Sequence, residues 1–181
     1  LDEAEQRAFT AVTDKNPDLE EETRRKIAKI IGLGALKYSD LSNNRQNDYI
    51  FDWDKMLSLH GNTAPYLQYA YTRVRSIFRK SGEPDWSKIS IVFEKEEELS
   101  LAKHLMNFGH ILERVAEDNR PNYLCNYLYD LAGCFSRFYE ACPVIKAKQT
   151  ERESRLVLCE LTARVLRKGL GALGIDVTEV M

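Results

Sequence analysis

The sequence predicts a mainly α protein, an antiparallel helix bundle over residues 62–181 preceded by a small, mostly helical segment with one short strand. Three observations predict it. Apolar residues recur at alternating spacings of three and four along successive stretches, the mark of helices that each bury one face. Pro, Gly and capping residues separate these stretches by short links, which favours antiparallel neighbours. The 181 residues include only 9 Gly and 5 Pro at a hydrophobic fraction of 44%, so one sizeable core is available and collagen-like or disordered chains are excluded.

The first third is the less uniform part. Ala4, Ala8, Phe9 and Val12 mark one helix and Leu19 to Ile31 a second, with Gly32 and Gly34 expected to punctuate the chain before Ala35 to Leu41. Tyr49, Phe51 and Trp53 then alternate with Ile50, Asp52 and Asp54, a period of two that reads as a strand. A single strand has no partner in this chain and is expected to come from a larger sheet. Together with a start at Leu1 inside a helical pattern, this reads as part of a longer protein, with residues 1–61 as the tail of a preceding region.

Four helices follow. Pro65 to Lys80 is the first. In the second, Glu94 to Asp118, the stripe is Leu101, Leu105, Phe108, Leu112 and Val115, and the acidic run Glu94 to Glu98 suits a helix N-terminus. In the third, Pro121 opens a stripe of Leu124, Leu128, Leu131, Phe135, Phe138 and Cys142 that Pro143 ends. In the fourth, Thr150 and Glu153 form a predicted capping box. Leu156, Cys159, Ala163, Leu166, Leu170 and Leu173 make its stripe, and Gly174 sits where a left-handed cap is expected.

Composition removes several function classes. No apolar run approaches the roughly 18 to 20 residues of a membrane span, and Leu1-Asp2-Glu3 is neither basic nor apolar, which points to the cytoplasm. The 4 Cys lie far apart with no C-x-x-C pair, so reduced thiols without a zinc or redox role are expected. No dinucleotide, P-loop, zincin or nucleophile-elbow motif occurs, and His60, His104 and His110 are not at metal-ligand spacing. No catalytic residue, metal site or cofactor is expected in this chain.

Charge is uneven. The net charge is −2, yet Lys55 to Gly82 contains no Asp or Glu and carries Arg73, Arg75, Arg79 and Lys80. On a helical wheel with Tyr66 at zero, Leu67, Ala70, Val74, Ile77 and Phe78 fall between about 20° and 120°, the packing face. Tyr66, Tyr69, Arg73, Ser76 and Lys80 fall between about 280° and 360°. Rings for stacking and cations for phosphates on one non-core face are the chemistry of single-stranded RNA recognition. Tyrosines at a bundle edge with wet hydroxyls are the structural alternative.

The segment Gly61-Asn62-Thr63-Ala64-Pro65-Tyr66-Leu67-Gln68-Tyr69-Ala70-Tyr71-Thr72-Arg73 resembles arginyl-tRNA synthetases, at the junction of the class I catalytic domain and the helical anticodon-binding domain. The resemblance extends over Ala35 to Leu41, Tyr49 to Leu57, Phe138 to Val144 and Arg155 to Ile175, with the family's Asp-Ala-Leu-Arg signature degraded at Glu160-Leu161-Thr162-Ala163-Arg164. It implies a parent enzyme that attaches arginine to its tRNA with ATP and magnesium. The family's His-Ile-Gly-His and Lys-Met-Ser-Lys-Ser signatures do not occur here, so this chain alone is expected to be inactive and to bind neither cofactor. The partners implied are the anticodon loop of an arginine-accepting tRNA and the rest of the synthetase, with the protein a monomer. The family's anticodon contacts fall on Tyr66, Tyr69 and Arg73, on the pair Phe135 and Tyr139, and on Met181, where Val180 replaces the usual preceding Arg. Phe135 also lies on its helix's apolar stripe, whereas Tyr139 is about 60° from the stripe centre. The alternative from another class is a helical protein–protein interaction module without RNA binding, with Tyr66 and Tyr69 as hot-spot aromatics.

Overall fold

The computed structural model describes residues 1–82 and 84–181, with Lys88 described by its backbone alone. Its helices are α1 (Asp2–Lys15), α2 (Glu21–Leu41), the single turn α3 (Trp53–Met56), α4 (Ala64–Ser81), α5 (Glu96–Met106), α6 (Phe108–Asp118), α7 (Asn122–Ala141) and α8 (Gln149–Ala172), with a 3₁₀ turn at Trp86–Lys88. Side-chain pairings give their directions. Arg75 meets Glu160 and Arg152 reaches Ser81 O, so α4 and α8 run antiparallel. Lys95 Nζ donates to Ala141 O and His104 stacks on Tyr127, so α5 and α7 do too. α6 runs against α7 as well, with Phe108 beside Tyr127 and Arg114 beside Tyr123, so α5 and α6 share one direction. Its core takes Leu67, Val74, Ile77 and Phe78 from α4, Leu101 and Leu105 from α5, the predicted stripe from Leu124 to Phe138 of α7, and that of Leu156 to Leu170 from α8. Burying each large apolar side chain is worth about 1.5–3 kcal/mol, which is why the stripes dictate the packing.

Four expectations are corrected. Residues 49–52 form no strand: Ile50 is 89% exposed, and Asp52 instead caps α3 by accepting from the amides of Asp54 and Lys55. The ring of Phe51 meets that of Trp53 edge-on, 4.8 Å away, and no strand lies alongside among the described residues. Gly32 and Gly34 do not interrupt α2. A Cβ on Gly32 would lie 2.6 Å from Ala4 O, so glycine here lets α1 press against α2. The long helix after Glu94 breaks at Asn107, whose amide bonds to His104 O in a tightened turn. Beyond that break Ile111 packs beside Phe108 and Val115, while Leu112 turns outward. Finally, α8 begins at Gln149 without a capping side chain, and Glu153 accepts from Gln149 Nε2 instead of capping. The reach-back carboxylate sits on α5, where Glu98 accepts from the amides of Glu94 and Lys95.

α8 ends as predicted. Gly174 adopts φ 70°, Ile175 N bonds to Leu170 O and Gly174 N to Gly171 O, which satisfies the last carbonyls and buries Ile175. The following residues lie along α4. Gln68, fully buried, donates to both Ile30 O of α2 and Asp176 O, and Thr72 Oγ1 donates to Thr178 O. The C-terminal segment is thus wedged between α4 and α2.

Candidate nucleic-acid interface

Thr63 caps α4 by accepting from Tyr66 N at 3.3 Å, and Pro65 fits the first turn, where no amide donor is needed. This fixes the rotation of α4 and hence the fate of its three sectors. The apolar sector enters the core. Gln68, Tyr71, Thr72, Arg75 and Arg79 face the C-terminal segment, where each bonds to it directly. The remaining sector holds Tyr66, Tyr69, Arg73, Ser76 and Lys80. Tyr69 is 44% exposed, and Tyr66 and Arg73 are half-buried.

That sector continues onto α7. The Tyr66 ring lies 5.6 Å from that of Tyr129, and the Arg73 guanidinium carbon lies 4.6 Å from the centroid of Tyr139. Arg73 has no ion-pair or hydrogen-bond partner for its side chain among the described residues, so its donors are left to solvent or to a ligand. The hydroxyls of Tyr66, Tyr69, Tyr129 and Tyr139 likewise have no partner among the described residues. Those of the buried Tyr38, Tyr71 and Tyr127 are all bonded, to Cys125 O, Glu179 and His104 O respectively. Burial and the Glu179 hydrogen bond push the Tyr71 phenol up to about 12, as expected for a ring locked into the fold. Aromatic surface and an unpaired cation are therefore concentrated on one strip.

The other predicted site residues lie elsewhere. Phe135 is 1% exposed and stacks beneath, its ring 6.0 Å from both Phe138 and Tyr139. It is a floor that holds Tyr139 in place. Met181 is half-buried against the apolar cluster of Ala8, Val12, Ile27, Ala28 and Ile31 on α1 and α2. The basic strip seen in the sequence is divided. Arg75 pairs with Glu160 and Glu179 at 3.1 Å each, and Arg79 Nη1 donates to Glu179 O at 2.8 Å, leaving Arg73 and Lys80 on the aromatic side. Tyr129 was missed. It lies off the α7 stripe beyond Tyr139, and the wheel that grouped the α4 residues finds it when drawn for α7.

No group of three or more His, Cys, Asp and Glu among the described residues can hold a metal ion, and no described helix is long and apolar enough to cross a membrane. Cys125, Cys142 and Cys159 are buried and unpaired. What the strip offers is stacking, cation–π contact and charge-assisted hydrogen bonding to a flexible polyanion.

The profile of the DALR anticodon binding domain matches residues 67–181, which include all of α5 to α8 and nearly all of α4. The chain belongs to the DALR anticodon-binding domain family. Residues 1–53 match a second profile, the catalytic domain of class I tRNA synthetases (R). Across its whole length the chain is 53% identical to the arginine–tRNA ligase of Shewanella sp. (strain ANA-3) and 54% identical to that of Shewanella putrefaciens. It spans 31% of the length of each relative. Among solved structures, the arginyl-tRNA synthetases of Thermus thermophilus and Plasmodium falciparum superpose on 99% of the chain. Their TM-scores are 0.89 and 0.90 at 36% and 31% identity, and the chain covers 31% and 32% of them. The DALR bundle and the α1–α2 pair thus both have counterparts in these synthetases.

Proposed function

We propose that this chain is the tRNA-recognising part of an arginine–tRNA ligase, with residues 1–61 the tail of the catalytic region and 62–181 the anticodon-binding domain. The parent enzyme attaches arginine to its tRNA using ATP and magnesium in the cytoplasm. This chain supplies RNA recognition as a monomer and binds neither cofactor. The observation that carries the reading is the strip of Tyr66, Tyr69, Arg73 and Tyr139, in which four side chains without polar partners among the described residues sit on a DALR-family bundle. Bases of the anticodon loop stack on Tyr69 and Tyr66, and the Arg73 guanidinium, held flat on Tyr139, donates to a base edge or phosphate. Phe135 supports the strip from below, and Met181 packs against α1 and α2 rather than on it.

Titration with an arginine-accepting tRNA at 50 and 200 mM salt tests this. A site built on phosphates and stacking is expected to weaken by about 10-fold over that range. Salt-independent affinity, or no binding at either concentration, would contradict it.

A further inference from the structure

Two arginines of α4 have the charge of RNA contacts but not the freedom. Arg75 Nε meets Glu179 Oε2 and its Nη1 meets Glu160 Oε2, both at 3.1 Å. Arg79 Nη1 donates to the backbone carbonyl of Glu179. The second carboxylate oxygen of Glu179 accepts from the Tyr71 hydroxyl at 2.7 Å, which aims the carboxylate at Arg75. Burial alone would push the Glu179 carboxyl up, but Tyr71, Arg75 and Arg79 together hold it below its ordinary range. One acidic residue from a segment 100 positions along the chain therefore engages both arginines. Arg75 follows Arg73 by two residues and Arg79 precedes Lys80 by one, but both lie on a different face of α4 from the strip.

We infer that Glu179 is a charge mask: its carboxylate pairs with Arg75 and offsets the charge of Arg79, which its backbone carbonyl holds in place, so that only RNA able to stack on the tyrosine strip gains full affinity from α4. This rests on the RNA-binding reading above and adds to it how unrelated RNA is refused. Two unmasked arginines would attract any phosphate chain, because phosphate contacts carry no sequence information. Discrimination is obtained by removing nonspecific affinity as well as by adding specific contacts.

The test uses Glu179→Gln in the 181-residue chain, which keeps an acceptor for Tyr71 and removes the charge. The probes are poly(U), which has phosphates but no anticodon structure, and the anticodon stem-loop of an arginine tRNA. Poly(U) affinity is expected to rise about 10-fold at 50 mM salt with its log–log salt slope steeper by about 0.7, one extra single-strand phosphate contact through Arg75. Stem-loop affinity should change less, so the ratio between the probes falls. Adding Arg75→Gln and Arg79→Gln to the Glu179→Gln chain should return the poly(U) slope to its original value. An unchanged slope in Glu179→Gln, with the thermal melting of the chain intact, would overturn the mask, as would a gain that survives loss of both arginines. If the unaltered chain bound no stem-loop at all, the RNA-binding reading itself would fail, a separate outcome.

Discussion

The Arg73 guanidinium carbon sits 4.6 Å from the ring centroid of Tyr139, a contact between α4 and α7 that leaves the in-plane donors of Arg73 without a partner among the described residues. Stacking orients a planar cation in advance, so less side-chain entropy is lost when it donates to a base or phosphate. Helix capping by Thr63 and the buried Phe135 floor set the two sides of this contact.

Arg73→Ala is expected to weaken binding of an arginine-accepting tRNA by roughly 1–3 kcal/mol, with melting temperature nearly unchanged, because the side chain makes no hydrogen bond among the described residues. Arg73→Lys should recover only part of that affinity, since a point charge neither stacks on Tyr139 nor donates in a fork. A large fall in melting temperature with normal RNA affinity would assign Arg73 to the fold instead.

Tyr69→Ala should lose roughly 1–3 kcal/mol of RNA affinity, while Tyr69→Phe should lose much less, because the ring stacks and the hydroxyl has no partner among the described residues. Equal damage from both changes in an intact fold would show that the hydroxyl, not the ring, meets the RNA.

Much of the bundle was legible because burial of an apolar stripe dominates helix packing, and the α7 and α8 stripes from Leu124 to Leu173 are buried as their spacing requires. The strip on α4 was legible for the same reason: the wheel places Tyr66, Tyr69 and Arg73 away from Leu67 and Val74. Long-range geometry was not. Gly32 reads as a helix breaker until Ala4 O is seen beside it, and the alternation from Tyr49 to Trp53 reads as a strand although no strand lies among the described residues to pair with it. The division of the arginines was hidden too, since the C-terminal segment is held partly through the carbonyls of Asp176, Thr178 and Glu179, which carry no side-chain identity. Phe135 is buried as its place on the α7 stripe requires, and it meets the strip only through the ring of Tyr139.

Glu98 gives the fold a pH dependence. Burial would push its carboxyl up, but Arg155 Nε at 2.6 Å and the amides of Lys95 and Glu94 hold it below its ordinary value of 4.5. The folded state therefore binds the proton less readily than the unfolded chain. Its stabilisation is fully present above about pH 4.5 and is lost as pH falls through the lower folded value. Glu98→Gln should cost about 1.5–3 kcal/mol at neutral pH by removing the nearer of the two carboxylates that face the buried Arg155, Glu151 at 3.6 Å being the other. Denaturant midpoints recorded from neutral pH downward should show a shallower acid loss for the variant than for the unaltered chain. Parallel curves would remove Glu98 from the explanation.

Leu166→Ala and Gly32→Ala separate folding from recognition. Leu166 is fully buried on α8, so truncation should cost roughly 2–5 kcal/mol of stability. The Cβ of Gly32→Ala would collide with the α1 backbone, for a cost of about 1–3 kcal/mol. Under conditions where each variant remains folded, RNA affinity should match that of the unaltered chain. Weaker binding by the folded Gly32→Ala chain would mean that α1 and α2 take part in holding the RNA.

The central claim is that the α4–α7 strip reads an anticodon loop. Its most direct test is a pair of anisotropy titrations at one salt concentration. One uses the anticodon stem-loop of an arginine tRNA, and the other the same stem carrying an unrelated loop of equal length. The arginine loop should bind about 10-fold tighter or more, equivalent to one well-recognised base, and Tyr69→Ala together with Arg73→Ala should abolish the difference. Equal affinity for the two loops, or a preference that survives both substitutions, would contradict the claim.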